Sequence, residues 1–327
     1  MVGMIVRLGY VAMSTVVSNA SPSKTMTATT FKAIADREAA IRKLEKIAAE
    51  NIHNTLRLLR HNRAHDIHVY RLSSKLIPLL GHELLEDWDP FPILADEFAK
   101  LGAYIREHQM RISFHPDHFT VLSTPRKDVL DKSYADLDRH VRMLEYMGLD
   151  DSAKCNIHMG GAYMDKAQSA SRFINQFESM SSRIRSHITL ENDDKTFNAT
   201  ETLYACEKLH VPMVLDIHHH AVNNNGDEAS ALWTRISRTW EDQSIPPKIH
   251  ASSPKSEQDP RSHADYIHTP DLLQFLRSIV DETSKLDIML EAKMKDSALF
   301  RLIDELKREE GIELIDDGTI MMKKQNG

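Results

Sequence analysis

Short runs of aliphatic and β-branched residues alternate with longer amphipathic stretches along most of the 327-residue chain. A short apolar run between turn residues predicts a buried strand, and apolar positions recurring every three or four residues predict a helix. The predicted strands are 5–10, 69–72, 111–115, 155–158, 187–191, 213–216, 248–250 and 286–291, and the predicted helices include 32–60, 128–147, 166–185, 200–209 and 270–283.

The regular alternation of these elements predicts one closed barrel. Strand–helix alternation gives parallel strands covered by helices, and eight such units close a (β/α)8 TIM barrel. An open doubly wound sheet is the alternative, but the turn after the first strand lacks the GxGxxG pattern typical of that fold. We therefore predict an α/β fold with a single TIM-barrel domain over residues 1–327. Residues 18–30, rich in Ser, Thr and Ala, are predicted to be a surface insertion, and residues 318–327 a C-terminal tail.

The composition is that of a globular protein, with 41% hydrophobic and 27% charged residues. No run approaches the roughly 20 apolar residues of a transmembrane helix, and only two cysteines occur. We therefore expect a cytoplasmic protein without disulfides or a membrane partner. The net charge of −7 argues against wholesale nucleic-acid binding without excluding it, because bound cations can reverse the field at one face.

The 18 histidines are the unusual feature of the composition, and many lie where a barrel builds its active site. Loops at the carboxyl-terminal ends of the strands form that site, and strands three to eight all end in side chains that can bind a metal ion. They are His115 after strand three, His158 at strand four, Glu191 at strand five, Asp216 with His218, His219 and His220 at strand six, His250 followed by His263 and Asp265 at strand seven, and Glu291 at strand eight.

Each of these side chains also has an ordinary structural interpretation. A single histidine at a strand end is more often hydrogen-bonded or solvent-exposed than a ligand, and Glu191 alone could pair with a lysine or cap a helix. Six strand ends that bring ionisable groups to one rim are harder to explain in this way, because burying so many charges costs free energy unless cations neutralise them. The sequence therefore predicts a divalent-metal site.

The ligand types narrow the chemistry. Mixed imidazole and carboxylate ligands suit Mn²⁺, Zn²⁺ or Fe²⁺ better than Ca²⁺, and the absence of cysteine from the set argues against a structural zinc site. Roughly nine candidate ligands exceed the needs of one ion, and sites with several metal ions about 4 Å apart are typical of phosphodiester hydrolysis. A metal-dependent phosphodiesterase is the leading prediction, and a sugar isomerase on the same barrel is the alternative.

Eight short segments, taken in chain order, carry a family resemblance: RLGY at 7–10, YRLSS at 70–74, FHP at 114–116, HMGG at 158–161, LEND at 190–193, DIHH at 216–219, KIH at 248–250 and RSHADY at 261–266. Together with Glu291 they make the chain similar to the UV damage endonuclease family. The resemblance implies a barrel like those of endonuclease IV and xylose isomerase, with a cluster of divalent metals, usually Mn²⁺, and Zn²⁺ or Mg²⁺ as alternatives. It implies an enzyme that cuts damaged double-stranded DNA immediately 5′ to pyrimidine dimers and 6-4 photoproducts, and so initiates DNA repair. We expect the protein to be a monomer. A nuclease of the AP endonuclease IV type is the alternative.

The resemblance assigns roles to individual residues. Lys248 and Glu191 are the implied catalytic residues. Lys248 is further implied to be carboxylated and close to the metals, with a lysine that contacts phosphate as the alternative. The implied metal ligands are His82, His115, His158, Glu191, Asp216, His219, His250, His263 and Glu291.

The same resemblance indicates which residues contact DNA. The family commonly has a glutamine and an aromatic residue after His-Pro, whereas this chain has Asp117-His118-Phe119, whose rings can still fill the gap left by extruded bases. For Phe119, packing into the barrel mouth is the alternative. Tyr10 matches the family, but Ser14 stands where another polar residue is common. The implied DNA- and lesion-binding residues are Tyr10, His118, Phe119, Arg7, Arg71 and Lys255, and an ordinary surface or ion-paired charge is the alternative for the basic ones.

Overall fold

The structure, a computed structural model, describes residues 3–324. Its strands are β1 (Met4–Val11), β2 (Val69–Arg71), β3 (Arg111–Phe114), β4 (Lys154–His158), β5 (Ile188–Glu191), β6 (Met213–Asp216), β7 (Lys248–Ala251), β8 (Pro254–Ser256), β9 (Asp259–His263), β10 (Lys285–Leu290), β11 (Ile312–Asp316) and β12 (Thr319–Met322). Its helices are α1 (Ala28–Lys32), α2 (Arg37–Ala64), α3 (Phe91–Glu107), α4 (Lys127–Tyr146), α5 (Lys166–Glu178), α6 (Ser182–Arg185), α7 (Ala199–Leu209), α8 (Ile217–Val222), α9 (Ala229–Arg238), α10 (Thr269–Ile279) and α11 (Lys295–Leu306).

Eight parallel strands, β1 to β7 and β10, close into a barrel in chain order. β1 pairs with β2 on one side and with β10 on the other, which closes the sheet. The predicted TIM barrel is therefore confirmed. All eight predicted strands are present, with ends that differ by at most one residue from those predicted.

The helices cover the barrel because each buries one apolar face. On α2, the longest of them, Leu44, Ala48, Ile52 and Leu59 follow the helical repeat and are buried. Each large apolar side chain buried in this way contributes about 1.5–3 kcal/mol. The N-terminus of α2 is capped by Asp36, whose carboxylate accepts a hydrogen bond from the backbone of the second helical residue.

The barrel interior is polar over much of its length, whereas branched apolar residues fill most TIM barrels. Contacts between strands on opposite sides show which side chains point inward. Lys248 on β7 donates a hydrogen bond to Ser113 on β3 at 3.2 Å, and Arg111 on β3 donates to Asp287 on β10 at 2.5 Å. The fully buried Asp287 also accepts two hydrogen bonds from Arg7, at 2.7 and 2.6 Å. We refer to Arg7, Arg111 and Asp287 as the amino-terminal ion-pair layer, because they line a cavity of about 740 Å³ at that end of the barrel.

The segment after β1 is more buried than predicted. Ala20 and Met26 are buried, and α1 begins at Ala28. Asn51 on α2 holds the backbone of Lys24, donating to its carbonyl at 2.8 Å and accepting from its N–H at 2.9 Å. The predicted surface insertion at 18–30 is therefore corrected to a segment that packs partly against α2.

The end of the chain also differs from the prediction. Within the predicted tail 318–327, residues 319–322 form β12, which pairs antiparallel with the first half of β1 and buries Ile320. β11 extends this addition to the sheet. Residues 325–327 of the predicted tail lie outside the described residues.

The helices also differ from the prediction. The helix predicted at 166–185 is divided into α5 and α6, and α3, α9 and α11 were not among the predicted helices. No helix within residues 3–324 has the length and apolar character needed to cross a membrane.

Candidate metal centre at the barrel rim

Glu191 lies at the centre of the carboxyl-terminal rim. It is the last residue of β5, its side chain is buried, and three groups of candidate metal ligands share it. Within each group the ligand atoms all lie within 4.8 Å of one another. We refer to the members of these groups as the rim cluster: His115, His158, Glu191, Asp216, His219, His250 and Glu291.

Two imidazoles contact the Glu191 carboxylate directly. His115 Nε2 lies 3.2 Å from Glu191 Oε2, and His250 Nδ1 lies 3.0 Å from Oε1. His250 Nδ1 is also 3.1 Å from Glu291 Oε1, so this ring lies between two carboxylates. On the β6 side, His219 Nδ1 is 3.7 Å from both Glu191 Oε1 and Asp216 Oδ2.

Strand register and helix capping explain this convergence. The pairing of β4 with β5 sets His158 beside Glu191, and the pairing of β6 with β7 sets Asp216 beside His250. Asp216 also caps α8 by accepting a hydrogen bond from the N–H of His219 at 2.7 Å. The capping carboxylate and the imidazole three residues later are thereby fixed on the same side of the rim.

Four histidines at the rim each form a hydrogen bond with a backbone carbonyl. Each places Nδ1 against a backbone carbonyl, which can only accept, so Nδ1 carries a proton and Nε2 is the ring nitrogen that remains for a metal ion. Hydrogen bonds of this kind fix the tautomer and the ring orientation of metal-binding histidines. The bonds run from His115 to Pro116 O (3.0 Å), from His158 to Glu191 O (3.2 Å), from His219 to Asn192 O (3.0 Å) and from His263 to Glu291 O (2.8 Å).

Asn156 is a supporting residue that the sequence analysis did not select. Its amide donates a hydrogen bond to Glu191 Oε2, and its carbonyl accepts one from Thr189 at 2.8 Å. Asn156 is fully buried inside the barrel. The signal in the sequence was its position two residues before His158, because alternate residues of a strand face the same side.

The ionisable side chains of the rim cluster shift one another's pKa values, because they are buried close together. Burial would raise the pKa of Glu191, but the His250 and His158 imidazoles hold it well below its ordinary value. Burial raises the pKa of Asp216 to about 6, although His219 opposes the shift. Burial would lower the pKa of His219, but the Asp216 and Glu191 carboxylates raise it to about 9.

The rim cluster fits divalent cations. Asp216 Oδ2 and His250 Nε2 are both buried without a hydrogen-bond partner, and both are atoms that can donate a lone pair to a metal ion. Leaving a buried polar atom unpaired costs about 1–3 kcal/mol, and a bound cation would remove that cost. The mixture of imidazole and carboxylate ligands is the type that Mn²⁺ and Zn²⁺ accept.

Lys248 lies below the rim cluster inside the barrel. It is only 2% exposed, and its Nζ contacts Ser113 Oγ at 3.2 Å. Burial, together with the neighbouring charges of Arg111 and Arg71, lowers the pKa of Lys248 to about 7. Both interpretations of Lys248, a carboxylated lysine near the metals and a lysine that contacts phosphate, stay predictions.

Two implied ligands lie outside the three groups. His263, at the end of β9, reaches the rim, with its Nδ1 3.8 Å from Glu291 Oε2. His82 does not join the rim cluster: its Nδ1 accepts the N–H of Leu84 at 3.2 Å. The preceding Gly81 has a φ of +79°, and a Cβ there would collide with the Arg139 guanidinium, so this loop packs against α4. The structure therefore places His82 outside the rim cluster, and its implied ligand role stays a prediction.

Tyr10 lies inside the fold, and its implied role as a lesion contact stays a prediction. The side chain is fully buried, its hydroxyl donates a hydrogen bond to Asn62 on α2 at 2.6 Å, and its ring packs edge-on against Tyr70 at 5.3 Å. Alternation along β1 directs Tyr10 outward to the helices and Arg7 inward. The sequence did not distinguish these two directions, because both faces of a barrel strand are covered.

Arg7 and Arg71 are also committed to partners inside the protein. Arg7 belongs to the amino-terminal ion-pair layer, at the other end of the barrel from the rim cluster. Arg71 forms an ion pair with Glu291, and both side chains are largely buried. The structure shows both arginines in internal ion pairs, the alternative given for the basic residues, and their implied phosphate contacts stay predictions.

The remaining DNA candidates are on the surface. Phe119 is 73% exposed, which excludes its packing in the core, and its ring lies 4.0 Å from that of His118. Lys255 is exposed on the hairpin of β8 and β9, with its Nζ 3.6 Å from Asp259. His115, His118 and His219 help to line one cavity of about 370 Å³, so the loop after β3 and the rim cluster face a common space.

The arrangement defines a class of protein. A TIM barrel with histidines and carboxylates gathered at its carboxyl-terminal rim is typical of metal-dependent barrel enzymes. Endonuclease IV from Thermus thermophilus has the same fold, with a TM-score of 0.56 and 12% identity over 93% of this chain and 100% of that chain. At this identity the likeness concerns the fold alone.

A family model described as UV-endonuclease UvdE matches residues 6–323, and the chain belongs to this family. The UV DNA damage endonuclease of Halalkalibacterium halodurans is 45% identical over 97% of this chain and 99% of its own length. That of Bacillus cereus strain G9842 is 40% identical over 95% and 98%. The crystal structure of SacUVDE has a TM-score of 0.81 and 29% identity, covering 93% of this chain and 98% of that chain. The predicted family and the prediction of an endonuclease are confirmed.

Proposed function

We propose that this endonuclease cuts one strand of damaged double-stranded DNA immediately 5′ to UV photoproducts, pyrimidine dimers and 6-4 photoproducts alike, and so initiates DNA repair. The observation that carries the proposal is the rim cluster around Glu191, which faces an open cavity of about 370 Å³. Membership in the UvdE family supports the choice of substrate. The proposed reaction is a metal-dependent hydrolysis of a phosphodiester bond.

The residues of the rim cluster would hold two or more divalent ions. Such ions lower the pKa of water and neutralise charge on a phosphodiester when they are bound. Mn²⁺ is the proposed ion, with Zn²⁺ and Mg²⁺ as alternatives. The backbone carbonyls fix the rings of His115, His158, His219 and His263, and Glu191, which all three groups share, would contribute its carboxylate to the bound ions.

The enzyme is proposed to select damaged sites because the DNA duplex deforms more easily there. A photoproduct already weakens base stacking, so kinking the duplex and extruding the damaged bases costs less there than in intact DNA. His118 and Phe119 extend beyond His115 on the loop after β3, where their exposed rings can fill the gap. Lys255 is retained as a candidate phosphate contact.

A nicking assay tests the proposal. Purified protein is incubated with supercoiled plasmid, either UV-irradiated or not, with Mn²⁺ or with excess chelator, and an end-labelled duplex with one dimer locates the cut. We expect nicking of irradiated DNA alone, in Mn²⁺ alone, with the cut on the 5′ side of the dimer. Activity after exhaustive chelation, checked by elemental analysis, would contradict metal dependence.

The same assay separates the alternatives. A nuclease of the endonuclease IV type would cut a duplex with an abasic site and leave the dimer intact, and a sugar isomerase would cut neither. Binding of the lesion without nicking would indicate a damage-binding protein instead of an enzyme.

Two further predictions remain open to direct measurement. Carboxylation of Lys248 would appear in the intact mass of the native protein as an increase equal to one CO2, absent from Lys248→Arg. Sedimentation would show whether the protein is the predicted monomer.

A further inference from the structure

Nine large apolar side chains are exposed within residues 3–324, and five of them lie in loops that follow β1, β3 and β4 at the carboxyl-terminal rim. Single exposed apolar residues are ordinary on protein surfaces, so exposure alone does not define a site. Met164, between β4 and α5, is the extreme case, with a relative exposure of 106%, and its neighbour Tyr163 is 42% exposed. We refer to these two residues as the Tyr163–Met164 tip.

The backbone of the tip is held in an unusual conformation. Tyr163 and Met164 have φ values of +46° and +70°, in the left-handed region that residues other than glycine rarely adopt. The carbonyl of Ala162 accepts hydrogen bonds from the Asp165 N–H at 3.1 Å and from Ser169 Oγ at 2.6 Å, which fasten the turn. Conformations of this kind persist only where the surroundings enforce them, and they are concentrated at ligand-binding positions.

The tip is fastened to the loop that carries Phe119. Ser123 Oγ on that loop donates to Gly161 O at 3.1 Å, and Arg172 on α5 donates to Ser123 O at 3.0 Å. The Arg172 guanidinium also lies 5.8 Å from the centre of the Tyr163 ring. A Cβ at Gly160 would lie 2.6 Å from Ser123 Oγ, so glycine permits the two loops to approach.

The tip is also continuous with the rim cluster. Gly160 and Gly161 follow His158 and line the same cavity as His115 and His118. We propose that the Tyr163–Met164 tip is a second apolar wedge, which enters the kinked duplex beside His118 and Phe119. Its ligand is the set of unstacked bases and sugars at the distorted step, since apolar side chains, methionine included, are inserted between bases in this way and the flexible thioether adapts to irregular gaps.

This proposal rests on the proposed function, and the test distinguishes the two. Nicking kinetics in Mn²⁺ are compared for the parent protein, Met164→Ala, Tyr163→Ala and a control, Ile315→Ala, which removes an exposed apolar residue from β11 at the opposite end of the barrel. The duplex carries one pyrimidine dimer with 2-aminopurine opposite it, so that unstacking is read as fluorescence. A parent protein that fails to nick this duplex contradicts the proposed function before any variant is considered.

We expect KM for the damaged duplex to rise about tenfold in Met164→Ala, with a smaller rise in 2-aminopurine fluorescence on binding. The thermal unfolding temperature should not change, because the removed atoms are exposed. Ile315→Ala should match the parent protein in every measurement. If Met164→Ala keeps the parent KM and the parent fluorescence change, the tip is not a wedge and the proposal is wrong. If Tyr163→Ala is destabilised, Met164→Ala alone decides the outcome.

Discussion

The two ends of the barrel both bury charged side chains, yet they leave different atoms unpaired. In the amino-terminal ion-pair layer, the Asp287 carboxylate accepts hydrogen bonds from both Arg7 and Arg111, and one N–H of Arg111 remains without a partner. At the rim, the unpaired atoms are Asp216 Oδ2 and His250 Nε2. An unpaired N–H cannot bind a cation, whereas an oxygen or nitrogen lone pair can.

This difference shows why counting charged residues does not identify a site. Both regions have buried charges on facing strands, and both open to a cavity. The amino-terminal layer neutralises its own carboxylate, so its charges stabilise the fold. The rim cluster leaves Asp216 Oδ2 and His250 Nε2 unpaired, as expected of a site that holds cations. The following predictions test that contrast.

The largest expected effect is at the rim. Glu191→Gln removes the carboxylate shared by all three ligand groups and should lower turnover on the order of 10³-fold or more, with DNA binding largely kept. Single-turnover nicking and metal content by elemental analysis measure it. Glu313→Gln, which alters an exposed carboxylate on β11, is the matched control. If Glu191→Gln cuts at the parent rate, Glu191 is structural.

Asp287→Asn makes the corresponding change at the other end. It leaves two arginines without their counter-charge, so the free energy of unfolding should fall by about 3 kcal/mol, measured by urea titration. Activity per folded molecule should remain. Asp304→Asn, in an exposed ion pair with Lys307, should cost less than about 1 kcal/mol. A loss of activity at unchanged stability would place the amino-terminal layer in the catalytic machinery.

Metal addition should stabilise the protein through the rim alone. Mn²⁺ at 100 times its dissociation constant should raise the free energy of unfolding of chelated protein by about 2.7 kcal/mol, seen as a rise in melting temperature. Asp287→Asn should gain as much as the parent, and Glu191→Gln should gain less. An equal gain in both variants would show that the ions bind away from Glu191.

The double variant His118→Ala/Phe119→Ala tests the part of the rim that faces DNA. Stacking on a base is worth about 1–3 kcal/mol, so the preference for irradiated over intact duplex should weaken by that amount. Metal content and melting temperature should stay close to those of the parent, since Phe119 is 73% exposed. Earlier unfolding with an unchanged lesion preference would show that the pair supports the fold and does not probe the lesion.

The smallest effect is expected for Tyr10→Phe. This change removes the hydroxyl that bonds to Asn62 inside the fold and should cost about 1 kcal/mol of stability. Lesion preference should be the same as that of the parent in the competition assay. A changed preference at unchanged stability would support Tyr10 as a lesion contact.

The fold was largely predictable because strand and helix patterns alternate regularly over the barrel. The rim cluster was predictable for the same reason, since the strand ends that carry His158, Glu191 and Asp216 must meet once the barrel closes. The triple-histidine run could not be assigned by pattern alone. The resemblance selected His219, and the structure shows His218 bonded through both ring nitrogens to Ser252 and Pro260.

Side-chain direction and packing partners were less predictable. Tyr10 and Arg7 lie on one strand, and both faces of that strand are covered by other parts of the protein. No solvent-exposed face marks which alternate residues point into the barrel, so the sequence did not predict the directions of these two side chains. β12 was missed because its four residues extend the sheet by pairing with a strand more than 300 positions earlier in the chain. The local sequence pattern does not predict pairing with so distant a strand.

That distant pairing has a consequence for synthesis. β1 is made early, yet one of its edges is completed only by β10, about 280 residues later, and the first half of its other edge only by β12. At about 5–20 residues per second on the ribosome, these edges stay open for roughly 15–60 s and are exposed to aggregation with other unpaired strands. Glu291 is also translated late, so a partly made chain holds an incomplete rim cluster. If the rim cluster is the catalytic centre, as proposed, a partly made chain cannot cut DNA before Glu291 has been translated.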